Sequence, residues 1–377
     1  MSLSFLKDFN SSINKMGNIN TSSAPPSYWF SSGNYVLNKI LSGSFKRAVP
    51  QGRIIALCGL SGVGKSFLAG NFVKAAQDEG AFILVLDSEN ALDDDYMSKL
   101  KVDTSPDRYF YTDPTTIPQA SKIISTFTKG YRSDYGTDSD APKILIVIDS
   151  LDMLMTATEL ETYQKGQTSG DQGQQAKQLK SLLKTITQDI KTLNISVVVT
   201  KQVYKAQGMF QTEPYVITEA VKYSSSQILI LNKLKLRNEQ EKTEVEGIRM
   251  QVEVYKTRFT KPFQKVEINV PYETGMDPYS GLLEVAEALG VIKKVTTQSW
   301  SIKGEGDTKF TTAKLKSKEM LDKILDLCEE SDSFIMIAND EDIDEDDVVS
   351  AKVKRSKKGK ELAEAMDVDA DSEVDFQ

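Results

Sequence analysis

Gly59-Leu60-Ser61-Gly62-Val63-Gly64-Lys65-Ser66 is a complete G-x-x-x-x-G-K-[ST] match, set between an apolar run, Ile54 to Cys58, and a helical pattern beginning at Phe67. A glycine loop that leaves a buried strand and opens a helix commits the chain to an α/β arrangement. The chemistry follows from the backbone. Gly59, Gly62 and Gly64 permit a tight turn in which N–H groups and the helix N-terminus converge on a phosphate chain. Lys65 then reaches the β- and γ-phosphates, and the Ser66 hydroxyl is placed to ligate Mg²⁺, a hard cation that prefers oxygen. Leu60, Ser61, Val63 and Phe67 complete the nucleotide-binding stretch. A glycine turn without a nucleotide would not need all four fixed positions and both flanks.

The 377 residues are 40% hydrophobic, enough for one large core or two domains. No apolar run approaches the roughly 18 residues of a membrane span, and Met1 to Asn20 is polar, without a signal-peptide core, so an intracellular, cytoplasmic protein is expected. The two cysteines, Cys58 and Cys328, have no disulfide or metal-ligand spacing and read as core thiols. Histidine is absent, which excludes imidazole bases and His-metal sites and leaves carboxylates, Lys, Arg, Ser and Gln for catalysis. The formal net charge of −8 is unevenly placed. From Glu329 onward there are 17 acidic and 6 basic residues, a net of −11, whereas the preceding 328 residues carry 40 basic and 37 acidic, a net of +3. The acidic segment reads as a disordered tail, residues 331–377, that serves as an interaction arm or competes for a basic groove.

Met1 to Phe30 is rich in Ser, Asn and Thr and reads as an arm, either a frayed terminus or one that packs Tyr28-Trp29-Phe30 on a neighbouring subunit. Tyr35 to Leu41 has helical spacing, and Ala81 to Leu86 reads as a second buried strand, followed by Asp87 and Glu89. Carboxylates there either cap the next helix or orient an attacking water at the ligand edge of an open sheet. Phe110 to Tyr111 is a short strand, Ile117 to Thr128 a helix and Gly130 to Asp140 a polar loop. Lys143 to Ser150 is a β-branched run closed by Asp149, a Walker B pattern whose acid holds Mg²⁺ through water.

Thr156 to Gln178 is a long polar loop before a helix, Leu179 to Leu193. Ile195 to Thr200 is a strand followed by Lys201-Gln202-Val203-Tyr204-Lys205 and a polar loop to Lys222. Ser226 to Leu231 and Val252 to Tyr255 close the sheet, and the alternation of strand and helix predicts a mainly parallel one. The two loops carry Lys165, Lys177, Lys201, Lys205 and Lys222 among Tyr163, Tyr204, Phe210, Tyr215 and Tyr223. Cations interleaved with aromatics suit single-stranded nucleic acid, and equally an ordinary solvated face.

Taken together, these residues resemble the RecA-type strand-exchange recombinases, most closely the UvsX-type enzymes of tailed bacteriophages, over roughly Ser31 to Lys294. Asp87-Ser88-Glu89-Asn90-Ala91-Leu92-Asp93, followed by Tyr96, looks like the family's Asp-Ala-Glu-His-Ala-Leu-Asp stretch and its later tyrosine. The resemblance implies that Glu89 activates water, Asp93 contacts adenine and Tyr96 stacks on it. Asp149-Ser150 matches the Walker B pair, and Gln202 falls on the γ-phosphate-sensing glutamine. Thr156 to Gln178 and Val203 to Lys222 look like the two DNA-binding loops, with Lys177, Lys201, Tyr204, Lys205, Phe210 and Lys222 as DNA contacts. Lys256-Thr257-Arg258 resembles the basic pair that reaches a neighbour's γ-phosphate. Asp277 to Leu283 looks like the phage branch. Arg258 stands for a lysine, Asn90 for a histidine, and the second loop lacks the family's Gly-Gly.

The implied fold is an α/β, RecA-like P-loop ATPase core at 31–280 with a mainly parallel central sheet. It is preceded by an oligomerisation arm at 1–30 and followed by a small α/β region at 281–330 and the acidic tail. The implied activity is DNA-dependent ATP hydrolysis, with ATP and Mg²⁺ at the interfaces of a homo-oligomeric helical filament. That filament would form on single-stranded DNA and exchange strands with duplex DNA, serving recombination, repair and recombination-dependent replication. A single-stranded-DNA-binding protein and a loading mediator are the implied partners, and no membrane. Two other readings remain. A hexameric helicase of the same superfamily shares the ATPase parts but should carry a primase-binding N-terminal domain. A nucleotide-switched mediator would have no need of Glu89.

Overall fold

Runs rich in Ile, Leu and Val become the centre of one sheet because a parallel strand is covered on both faces and needs apolar side chains in both directions. The strands are β3 (Ile54–Gly59), β4 (Phe82–Asp87), β5 (Tyr109–Thr112), β6 (Ile144–Asp149), β7 (Ile195–Gln202) and β10 (Gln227–Arg237). They lie side by side in the order β10-β3-β7-β6-β4-β5, every pair parallel. β11 (Val245–Lys256) and β12 (Lys265–Pro271) extend the β10 side antiparallel, giving eight strands. β12 went unread in the sequence: it is a half-buried strand whose Val266, Ile268 and Val270 turn inward while its charged residues alternate outward. This computed structural model describes residues 11–12, 25–167, 173–205, 215–237, 245–304 and 309–331, all within one compact unit, Met1–Ile335. Most of the N-terminal arm and the acidic segment 332–377 lie outside the described residues.

Helices cover both faces. The first two are α1 (Tyr35–Ser42), capped by the Asn34 side chain, and α2 (Lys65–Asp78), which follows the glycine loop and buries Leu68, Phe72, Val73 and Ala76 across β3, β4, β6 and β7. α3 (Asp94–Lys99) is short. On the opposite face α4 (Ile117–Tyr135) and α6 (Gln174–Ile190) bury Ile124, Leu182, Leu183 and Ile186 against β6 and β7. Two expectations change here. α4 runs past Gly130, whose missing side chain faces open space, because buried Tyr131 anchors the extra turn through a hydroxyl bond to the Pro142 carbonyl (2.8 Å). The polar stretch after β6 contains α5 (Ala157–Gln164), started by a reciprocal Thr156–Glu159 capping box, and the first turn of α6.

Tyr28-Trp29-Phe30 makes contacts within its own chain. β1 (Trp29–Phe30) pairs with β2 (Val49–Pro50), Phe30 is fully buried, and Trp29 meets Phe259 edge-on at 4.7 Å between centroids. Phe30 belongs to the chain's own core, while Tyr28 and Trp29 are half-buried beside it. The short β8 (Tyr204–Lys205) and β9 (Tyr215–Val216) pair antiparallel before α7 (Glu219–Ser224), and the C-terminal region comprises α8 (Leu282–Ala288), the antiparallel β13 (Ile292–Thr296), β14 (Ser299–Ile302) and β15 (Lys309–Thr311), α9 (Thr312–Leu315) and α10 (Lys318–Glu330). Trp300 and Phe310 pair across β14 and β15 and are buried together. The Glu329 carboxylate accepts from the Ser44 hydroxyl (2.8 Å) and the Phe45 N–H (3.2 Å), so the acidic stretch begins inside a docked helix.

Candidate active site

The carboxyl ends of β3, β7, β6 and β4 are in register: Gly59 opposes Gln202, and Asp87 opposes Asp149. Ligand-binding side chains in open α/β sheets gather at this edge. Gly59 is required by close approach, since a Cβ there would stand 2.8 Å from the Leu231 carbonyl oxygen and 2.6 Å from Val63. Gly64 (φ 102) is the N-cap of α2, in the left-handed region, and gives no side-chain cap; the first turn of α2 holds no acidic residue. The unmet N–H groups at this helix start, with its positive dipole end, suit an anion. Lys65 Nζ lies folded over the loop, donating to the carbonyls of Leu60 (3.0 Å) and Gly59 (3.4 Å).

Asp149 is fully buried at the end of β6. Burial pushes its pKa up, the Thr200 and Ser66 hydroxyls oppose the rise, and the nearby Glu89 and Asp87 add to it. Thr200 Oγ1 donates to Oδ1, while Oδ2 has no hydrogen-bond partner. An unpartnered buried carboxylate oxygen near a serine hydroxyl fits a Mg²⁺ ion that completes its shell with phosphate and water oxygens. No cluster of three or more acidic, Cys or His side chains that would hold a metal unaided occurs among the described residues. Cys58, one residue before the loop, is buried and its thiol is pushed up to about 12, so it is a core thiol.

Asp87 and Glu89 divide two jobs that the sequence left together. Asp87 is buried and shapes the following loop: Oδ1 accepts from the N–H groups of Glu89 and Ala91 (3.2 Å each), and Oδ2 from Leu92 N–H (2.8 Å) and the Tyr111 hydroxyl (3.3 Å). Ser88 N–H donates to the Asp149 carbonyl (2.7 Å) and its hydroxyl to the Ser150 carbonyl (2.7 Å). Held by this frame, Glu89 is exposed, close enough to Asp149 to bias its ionisation. Asp93 is exposed and caps α3, accepting from Tyr96 N–H (2.7 Å). Tyr96 is half-buried, its phenol pushed up to about 12 by desolvation and then by Asp149.

Among the cations, Lys201 requires a correction. It is the penultimate residue of the central strand β7, buried, and ion-paired with Asp152, so its ammonium faces inward rather than towards a ligand. Lys177 is exposed on the first turn of α6, and Tyr204 is 64% exposed just beyond β7. Lys222 lies in the last turn of α7, its ammonium 6.0 Å from the Tyr255 ring centroid. Lys205 is placed by backbone pairing with Tyr215, and Phe210 lies outside the described residues. Lys256 Nζ donates to the Lys222 carbonyl, and its pKa is lowered by burial and by Arg258. Burial, and after it the nearby Arg258, lowers the pKa of Arg53, which precedes β3. Lys256 opposes Ile228 at the start of β10, so the pair sits at the sheet edge opposite the chain's own glycine loop. Thr200, Asp152 and Gln175 went unread; only strand register brings Asp152, three residues past Asp149, against Lys201.

A family model for the RecA N-terminal domain matches residues 6–277. RecA of Thermus aquaticus is 29% identical over 308 residues, covering 78% of this chain and 84% of that relative. RecA of Clostridioides difficile strain 630 is 29% identical over 294 residues, 76% of this chain and 77% of the relative. RecA of Aquifex aeolicus is 28% identical over 290 residues, 76% and 78% of the two chains. With the glycine loop, the strand-end acid and a mostly parallel sheet in the matching region, the chain belongs to the RecA family.

Proposed function

We propose that this chain is a DNA-dependent ATPase that assembles as a helical filament on single-stranded DNA and exchanges strands with homologous duplex DNA. The observation that carries the reading is the edge where Lys65, Ser66, Asp149, Glu89 and Gln202 meet, with an unpartnered carboxylate oxygen at its centre. Mg²⁺ held by Ser66 and Asp149 would neutralise charge on the phosphates. Lys65 leaves its two carbonyl partners for the β- and γ-phosphate oxygens. Glu89 orients a water in line with the γ-phosphorus and accepts its proton, Asp93 and Tyr96 hold the adenine, and Gln202 senses the γ-phosphate beside Gly59.

Lys256 lies at the sheet edge opposite its own loop, and we assign it, with Arg258, to the neighbour's γ-phosphate. A cation supplied in trans contributes on the order of 10³ to 10⁵ in rate, which makes turnover depend on assembly. Exposed Lys177 and Tyr204, with Lys205, Phe210 and Lys222, supply charge and stacking surface to the strand, while base pairing carries sequence information. The Asp277 to Leu283 stretch favours the phage UvsX-type branch and a role in recombination-dependent replication. ATP hydrolysis with Mg²⁺, with and without single-stranded DNA, tested beside negative-stain images, decides the matter. Stimulated turnover with open helical filaments is expected; closed rings would indicate a helicase, and DNA binding without turnover a mediator.

A further inference from the structure

We propose that Asp152 is a positioning residue that ties the first DNA-facing loop to Gln202, so that this loop responds directly to the state of the nucleotide site. The inference rests on the functional reading above. Asp152 lies in the turn that leaves β6. One carboxylate oxygen pairs with Lys201 Nζ and the other accepts from Gln202 N–H (2.6 Å). Two donors on consecutive residues of β7 therefore fix the plane of a single carboxylate. On the far side of Gln202, Val203 N–H donates to the Gly59 carbonyl (3.2 Å), which joins the same strand end to the glycine loop.

The other end of the linkage is the loop itself. The Asp152 carbonyl accepts from Gln175 Nε2 (3.2 Å), which also donates to the Leu154 carbonyl (2.9 Å). Gln175 belongs to the first turn of α6, where the loop ends, and Leu154 stands two residues before Thr156, the cap of α5, where the loop begins. Both stems of the loop and the end of β7 thus converge on residues 152–154. A shift of Gln202 carries the Asp152 carboxylate with it, and through the Gln175 bonds it moves both stems. Coupling of this kind needs contiguous directional contacts, which these supply.

The pair is nearly out of water, with 8% of the Lys201 side chain and 21% of the Asp152 side chain exposed. Replacing a buried ion pair by apolar side chains of similar volume is commonly neutral or stabilising, whereas removing one partner leaves a buried charge. Folding alone therefore does not call for an ion pair here.

The test uses the full chain in two variants, Asp152→Leu combined with Lys201→Met, and Asp152→Asn, which keeps the size and one acceptor oxygen. Thermal melting, the KM for ATP without DNA, and the stimulation of hydrolysis by single-stranded DNA are measured together. A structural defect would lower DNA-free and DNA-stimulated turnover alike. The expected result is a double variant that melts at or above the wild-type midpoint with unchanged KM, while DNA stimulation falls on the order of 10-fold, within the usual range of coupling between sites. Asp152→Asn should lose part of the stimulation, again with KM unchanged. Wild-type stimulation in either folded variant overturns the inference alone. Absence of stimulation in the wild-type chain overturns the functional reading, and this inference with it.

Discussion

Thr200→Val removes a hydroxyl while keeping the shape of a fully buried side chain. The hydroxyl donates to Asp149 Oδ1, and of the two hydroxyls that hold down the pKa of this buried carboxylate, Thr200 acts more strongly than Ser66. A hydrogen bond to a charged group contributes about 1.5–3 kcal/mol. With an unfolding entropy of about 2 cal per mol per kelvin per residue over roughly 300 residues, that corresponds to a melting point lower by about 2–5 °C. The sign with pH follows from burial, which raises the folded pKa of Asp149 above its unfolded value. The contribution of this group is fully present below the unfolded carboxylate value of about 3.9 and is lost as pH rises through the folded value. Thr200 opposes that loss, so the deficit of the variant should widen with pH. Melting in metal-free buffer at about pH 5 and about pH 8 measures it. Thr200→Ser is the control that retains the hydroxyl. Equal deficits for the two variants at the higher pH, or a deficit that shrinks as pH rises, would refute the reasoning.

Phe30→Ala opens a cavity beneath β1 and should cost about 3–5 kcal/mol in denaturant unfolding; unchanged stability with impaired assembly would return these aromatics to an intersubunit role. Glu89→Gln should slow DNA-stimulated ATP turnover by roughly 10²- to 10⁴-fold. Nucleotide binding and filaments should persist, and undiminished turnover would remove Glu89 as the base. Truncation after Ser331 should preserve the melting point, because Glu329 keeps its bonds to Ser44 and Phe45. If the acidic residues beyond it compete with phosphates, the shortened chain binds single-stranded DNA more tightly at low salt, and the difference fades as salt rises.

The parts of this molecule that were legible in the sequence are those whose physics is local. A strand buried on both faces must be a continuous apolar run, and a phosphate loop must carry glycines where the backbone turns and approaches its neighbours, so β3, β4, β6, β7 and the stretch from Gly59 to Ser66 stood out. The family resemblance assigned roles to Glu89 and Gln202; the register of four strands shows why they stand beside the loop. What stayed hidden depends on partners far along the chain. Trp29 finds Phe259, 230 positions away, so its neighbourhood alone read as an arm. Lys201 shows the general difficulty most clearly. Counted by composition, it is one more cation in a polar stretch; placed by register, it is the penultimate residue of a central strand, opposite Cys58, and its charge is matched by Asp152. Charge on a polar segment therefore identifies a nucleic-acid surface only after the strand ends have been located. Of the six side chains that the resemblance assigns to DNA, Lys177 and Tyr204 are exposed, at a loop stem and a strand end. Lys201 instead holds the Asp152 carboxylate through which the nucleotide site and the first loop are joined.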